Sequence, residues 1–210
     1  MIAERLTTVR AGAETLEARL AVPPGAQVGV VISHPHPLYG GDMDNPVVTR
    51  IVEVCTNRRL ATLRFNFRGV GGSSGRHDNG RGEQDDVRAC LAHLEEAVGG
   101  SGRLALVGYS FGAVVAASVA ATVPLAGLGL VAPPMRVAEL EVPRTVGGPI
   151  VIVAGAEDQY CPAPALERLH GSLPEATVIV VEGADHFFFG SLMPLGEAIG
   201  GWADALLAAR

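Results

Sequence analysis

LALVGYSFGAVVAASVAATV, residues 104–123, is the stretch whose reading decides the fold. Residues 104–107 form a short apolar run, as a strand buried on both faces requires. From residue 111 to 122 the chain is rich in Ala and free of Pro and charge, so a helix is expected there. Between them GYSFG, residues 108–112, turns strand into helix and places Ser110 at the apex. A serine held there is strained, exposes its Oγ above the sheet, and faces a helix N-terminus that favours negative charge on the reacting group. With 27 glycines in the chain, G-x-S-x-G also arises by chance around an innocent serine. The strand before it and the helix after it are what give the motif meaning.

Outward from this stretch the same alternation continues. Two strands, at about residues 5–10 and 15–21, open the chain as a hairpin turning at Ala11-Gly12-Ala13, and Pro23-Pro24-Gly25 ends it. Further strands are expected at residues 27–33, 60–65, 103–107, 127–131, 149–154 and 177–181. One helix starts at Pro46 with Asn45 as its cap, buries Val48, Ile51, Val52 and Cys55, and ends near Arg58 and Arg59. Another opens on Glu83, Asp85 and Asp86, acids suited to a helix N-terminus, and buries Val87, Cys90, Leu91, Leu94 and Val98. Helices at residues 163–170 and around Ile199, Trp202 and Leu206 complete the chain. The pattern predicts an α/β fold, a mostly parallel twisted sheet of about eight strands with helices on both faces. Its 210 residues suit a single domain, 1–210.

Composition narrows the function. Hydrophobic residues make up 48% and charged residues 18%, a globular balance, and the net charge of −6 argues against a nucleic-acid partner. All 16 basic residues are Arg. A nucleotide-binding P-loop and Schiff-base or pyridoxal phosphate chemistry each need a Lys, so those classes are excluded and no cofactor is expected. Cys55, Cys90 and Cys161 are odd in number and lack a C-x-x-C pair, which fits a reducing, cytoplasmic setting. The N-terminus does not read as a signal peptide. Residues 104–135 carry no charge, but Gly108, Ser110, Gly112, Pro124, Gly127 and Gly129 break the run, so no membrane span is expected.

A nucleophilic serine needs a base, and the base needs an acid to orient it. AGAEDQYCP places Asp158 just past the strand at 149–154, and GADHFFFG places His186 just past the strand at 177–181. Both therefore leave the sheet at its C-terminal edge, as Ser110 does, and the order Ser, Asp, His suits this architecture. Glu157 and Asp185 compete for the acid role, but Glu157 is one residue early and Asp185 is the sequence neighbour of His186, so Asp158 is preferred. His186, set beside three phenylalanines, also has a reading as a packed core histidine. His77, His93 and His170 read as loop or helix-surface residues without chemical context.

Two loops invite other readings. RGVGGSSG, residues 68–75, misses the dinucleotide pattern G-x-G-x-x-G because Ser74 holds the third slot. It reads as a structural loop behind the elbow, with Arg68 as a buried hydrogen-bond donor. In HPHPLYGGDMDN, residues 34–45, His34, His36, Asp42 and Asp44 have the ligand types of a zinc or manganese site, but the serine chemistry accounts for this loop and no metal is expected.

HPHPLYGG (34–41), FNFRGVGGSSG (65–75), GYSFG, AED (156–158) and GADHFF (183–188) together resemble the α/β-hydrolase superfamily along nearly the whole chain. More narrowly, they are similar to small bacterial hydrolases with a His-Pro-His-Pro loop, related to dienelactone hydrolases. Ser110 stands where dienelactone hydrolases carry Cys and haloalkane dehalogenases carry Asp. The resemblance implies an α/β-hydrolase fold in which HPHPLYGG is the oxyanion loop. A developing oxyanion needs two N–H donors. Phe111 supplies one; Pro35 and Pro37 have no N–H, so His36 is chosen for the other, with Leu38 and Tyr39 as alternatives. The segment 131–149 is too short for a sizeable cap, so the site is expected to be open. The expected activity is that of a carboxylesterase-like serine hydrolase cleaving small acyl esters through an acyl-enzyme. Tyr39, Phe187 and Phe188 are candidates to line its pocket. A peptidase or acyltransferase with the same triad, or a non-catalytic binding module, are the alternatives. Oligomeric state is not legible.

Overall fold

The computed structural model describes residues 2–100, 102–138, 140 and 146–209. Strands β1 (Arg5–Ala11) and β2 (Glu14–Ala21) pair antiparallel, and β2 pairs antiparallel with β4 (Ala61–Phe65). The other strands, β3 (Val28–Ser33), β5 (Arg103–Tyr109), β6 (Gly127–Val131), β7 (Ile150–Gly155) and β8 (Thr177–Val181), join β4 in parallel. The eight-stranded sheet has the order β1-β2-β4-β3-β5-β6-β7-β8. The strand order reverses between β3 and β5, so the loops that leave these two strands diverge and open a crevice at their C-terminal ends.

Alternation along each strand divides the core. Val30 and Ile32 of β3, with Ala105 and Val107 of β5, face α1 (Pro46–Asn57) and α5 (Leu192–Ala208), where they meet Ile51, Ile199 and Trp202. Val31 and Leu106 face α2 (Arg81–Ala97), α3 (Phe111–Ala120) and α4 (Ala163–Ser172). Buried Ala113, Ala116 and Ala117 let α3 lie close against the sheet, which accounts for the uncharged stretch around Ser110. No helix among the described residues is long and apolar enough to cross a membrane.

Strand bounds agree with the expected ones to within one or two residues. Helix α5 contains the expected Ile199, Trp202 and Leu206 and begins at Leu192. Gly196 and Gly200 face the side chains of Arg50 and Arg58, and a Cβ there would come within 2.3 Å and 2.6 Å of their guanidinium nitrogens. Arg50 Nε donates to Leu192 O, and Arg58 pairs with Asp204, tying α1 to α5. Of the segment expected to be too short for a cap, residues 139 and 141–145 lie outside the described residues.

The loop at residues 68–75 is not placed as expected. Instead of packing behind the elbow it is tied to the opening hairpin: Thr15 and Glu17 N–H donate to the hydroxyls of Ser74 and Ser73, and Gly72 N–H donates to the Glu17 carboxylate. The polar turn thereby satisfies backbone groups that β2 leaves free beyond its pairing with β4. Arg68 forms a forked ion pair with Asp86, with Nη2 2.7 Å from Oδ1. Asp86, expected only to complement a helix dipole, thus anchors the start of this loop.

Candidate active site

Ser110 joins β5 to α3 at φ 54° and ψ −117°, a left-handed conformation that costs a residue with a side chain about 1–3 kcal/mol. The surrounding glycines explain how the turn closes. A Cβ on Gly108 would lie 2.2 Å from Gly112 O, and one on Gly112 would lie 2.6 Å from Ser33 O. Close backbone approach therefore requires both. The Ser33 hydroxyl donates to Gly112 O at 3.2 Å, locking the elbow onto the end of β3.

The turn after β8 brings His186 Nε2 to 2.9 Å from Ser110 Oγ. On its other side His186 Nδ1 lies 2.8 and 2.9 Å from the Asp158 carboxylate oxygens. That carboxylate accepts the Nδ1 proton, leaving the Nε2 lone pair to face the serine hydroxyl. Asp158 Oδ1 also accepts the Tyr160 and Cys161 amides at 2.8 and 3.0 Å, which holds the acid in place. All three side chains are buried. The rival acids are placed elsewhere: Glu157 is exposed, and Asp185 accepts the Phe187 and Phe189 amides.

Sequence reasoning missed two residues around the imidazole. Tyr109, at a variable position of the elbow motif, donates its hydroxyl to His186 O at 3.0 Å and so fixes the turn that carries the histidine. Burial pushes the Tyr109 phenol well above its ordinary range, so it remains a donor. The Tyr160 ring centroid lies 4.7 Å from that of His186. Neither contact has a local signal, since each joins residues from different strand ends.

The loop after β3 forms a short 3-10 turn, Pro37–Tyr39, which was not expected. Within it the Leu38 amide donates to His36 Nδ1 and the Tyr39 amide to His36 O. The His36 amide, like that of Phe111, has no acceptor among the described residues, and the His36 ring packs on Phe111 at 4.8 Å. His77 lies on a loop, as expected, but it does have a context: its ring packs against His36 at 5.0 Å and Phe111 at 5.4 Å, with Nδ1 2.8 Å from the buried Glu83 carboxylate. Glu83 also accepts the Asp78 and Gly80 amides, and the turn so formed carries His77 over the start of α3. His170 is exposed and His93 half-buried. Tyr39 and Phe187 are exposed beside the site, whereas Phe188 belongs to the core.

The four residues considered for a metal do not gather. His34 is buried, with Nδ1 on Pro35 O and Nε2 accepting the Phe67 amide, and Asp44 is held by Arg64. Burial pushes the His34 imidazole from 6.5 down to about 4. Between those values the unfolded chain binds the proton that the folded chain refuses, so stability is intact above pH 6.5 and falls as the pH drops to 4. The loss should reach about 3 kcal/mol. Urea unfolding across this range is expected to show that slope in the wild type and a shallower one in His34→Asn.

Residues 74–200 match the model of the dienelactone hydrolase family. An uncharacterized protein of Rickettsia prowazekii is 33% identical over 180 residues, covering 80% of this chain and 74% of that protein. A Xanthomonas campestris protein described as a member of the α/β serine hydrolases without lid superposes with a TM-score of 0.85 at 29% identity, covering 96% of this chain and 94% of its own. An α/β serine hydrolase homologue from Coxiella burnetii superposes with a TM-score of 0.84 at 34% identity, covering 96% of this chain and 98% of its own.

Proposed function

Because the chain belongs to the dienelactone hydrolase family and has the α/β-hydrolase fold, we propose that it is a serine hydrolase cleaving small acyl esters. The observation that carries this reading is the unbroken path from Ser110 Oγ through the His186 ring to Asp158, with steps of 2.9 and 2.8 Å. Ser110 attacks the ester carbonyl as His186 Nε2 takes its proton, and Asp158 holds the imidazole and stabilises its charge. The same proton then passes to the departing alcohol. Water, activated by His186, hydrolyses the acyl-enzyme. Residues 1–210 act as one catalytic domain whose partner is the small-molecule ester, without cofactor or metal. Three free, buried cysteines fit a cytoplasmic setting.

The oxyanion donors are the amides of Phe111 and His36. His36 is favoured over Leu38 and Tyr39 because its N–H alone of the three is unengaged among the described residues. At φ −59° and ψ 122° the His36 backbone already suits a proline that precedes another proline. His36→Pro should therefore remove the N–H with the fold retained, lowering kcat by roughly 10²–10³. His36→Ala keeps the donor and should lose far less; steady-state kinetics on both variants separate the amide from the ring.

The test of the reading is covalent. A fluorophosphonate should label the wild type at Ser110 and leave Ser110→Ala unlabelled, and p-nitrophenyl esters of graded chain length should be turned over, the shortest fastest. Absence of both label and turnover in folded protein would refute it.

A further inference from the structure

His186 is followed by three phenylalanines, and the backbone sorts them. Phe188 is fully buried at φ 54°, an unfavourable conformation for a bulky residue, while Phe187 is 53% and Phe189 78% exposed. The turn is pinned throughout: the Asp185 carboxylate accepts the Phe187 and Phe189 amides, Asp185 O accepts the Phe188 amide, and Phe188 O accepts the Ser191 amide. Two large rings are thus held in solvent by a rigid, strained segment. Such strain persists where the surrounding structure over-determines it, and it clusters at functional sites.

These rings are continuous with the proposed site. Phe187 meets the His186 imidazole edge-on at 5.5 Å, and Phe189 packs at a tilt on Phe187, not on the imidazole, at 5.7 Å, while half-exposed Tyr160 packs on the imidazole at 4.7 Å. When the tetrahedral intermediate collapses, the bond from the former carbonyl carbon to the alcohol oxygen breaks and its electron pair stays on that oxygen. The proton that His186 took from Ser110 moves there from Nε2. The departing alcohol must therefore lie against the imidazole, where the neighbouring surface is aromatic. We propose that Tyr160, Phe187 and Phe189 form a leaving-group subsite, and that the enzyme selects esters of apolar, aromatic alcohols by the group it releases. This rests on the role of His186 given above.

The test compares two substrate series in the wild type, Phe187→Ser, Phe189→Ser and the double variant. Acetates of methanol, ethanol and benzyl alcohol vary only the leaving group; methyl acetate, butyrate and benzoate vary only the acyl group. The wild type should prefer benzyl over methyl acetate in kcat/KM, and each substitution should cut that ratio about tenfold by removing apolar cover for the ring. The acyl-series ratios should hold. Both side chains are exposed, so circular dichroism and unfolding should show the variants folded. A fall in the acyl-series ratios instead, or no change in either, would overturn the proposal. So would loss of a dimer by sedimentation without change in selectivity, which would show that a second copy covers the rings. Failure of the serine reading would look different: neither series would be hydrolysed and Ser110 would take no label.

Discussion

Ser110→Ala is expected to lower kcat on p-nitrophenyl acetate by roughly 10⁶ while leaving the fold unchanged. The loss is large because in the proposed mechanism the hydroxyl is both the attacking atom and the proton donor to His186, with 2.9 Å between them. The nearby Ser33 hydroxyl cannot substitute for it, being committed to backbone carbonyls at the base of the elbow. Stability should shift by less than about 1 kcal/mol, since the alanine inherits the same backbone angles and only one side-chain hydrogen bond is lost. Adding His186→Ala should cost little more, because the two groups act as one unit. A residual rate roughly 10³ above the uncatalysed one is expected from the oxyanion donors alone. Turnover within tenfold of the wild type would remove Ser110 from the mechanism.

Asp158→Asn is expected to lower kcat by about 10⁴, through the tautomer of its neighbour rather than through misplacement. The asparagine carbonyl can still accept the Tyr160 and Cys161 amides that now bind Oδ1, so the loop after β7 should hold its shape. Its NH₂ group must then face His186 Nδ1. Two donors cannot face one another, so the imidazole proton moves to Nε2, where it points at Ser110 instead of accepting from it. Kinetics together with thermal unfolding check this: activity should collapse with little change in unfolding midpoint. Asp158→Ala should differ, since it also frees the Tyr160 and Cys161 amides and so disturbs a ring packed on the imidazole. A tenfold effect or less in Asp158→Asn would overturn the assigned role of the acid.

The loop after β3, proposed to supply an oxyanion donor, shows how far local reading reaches. Pro35 and Pro37 removed two candidates by chemistry alone, yet three amides remained open. His36 is already the choice from the sequence, and the 3-10 turn adds support to that proposal, because the Leu38 and Tyr39 amides both donate to His36. His77 is the contrary case. Its neighbours in sequence are polar and turn-forming, and nothing there foretells that Glu83 would fold the turn back and set the ring on His36 and Phe111.

By themselves the residues in order determined the alternation of strands and helices, the elbow at Ser110, and the delivery of Asp158 and His186 to the same edge of the sheet. Each of these follows from periodicity, turn chemistry or the direction of parallel strands, which are properties of short segments. Tertiary structure alone decided that the loop at 68–75 joins the hairpin, that Tyr109 braces the histidine turn, and that Phe188 is buried while Phe187 meets the imidazole and Phe189 packs on Phe187. Those outcomes depend on which polar groups remain unpaired once distant segments meet. No local pattern encodes that competition, because its partners are neighbours only after folding.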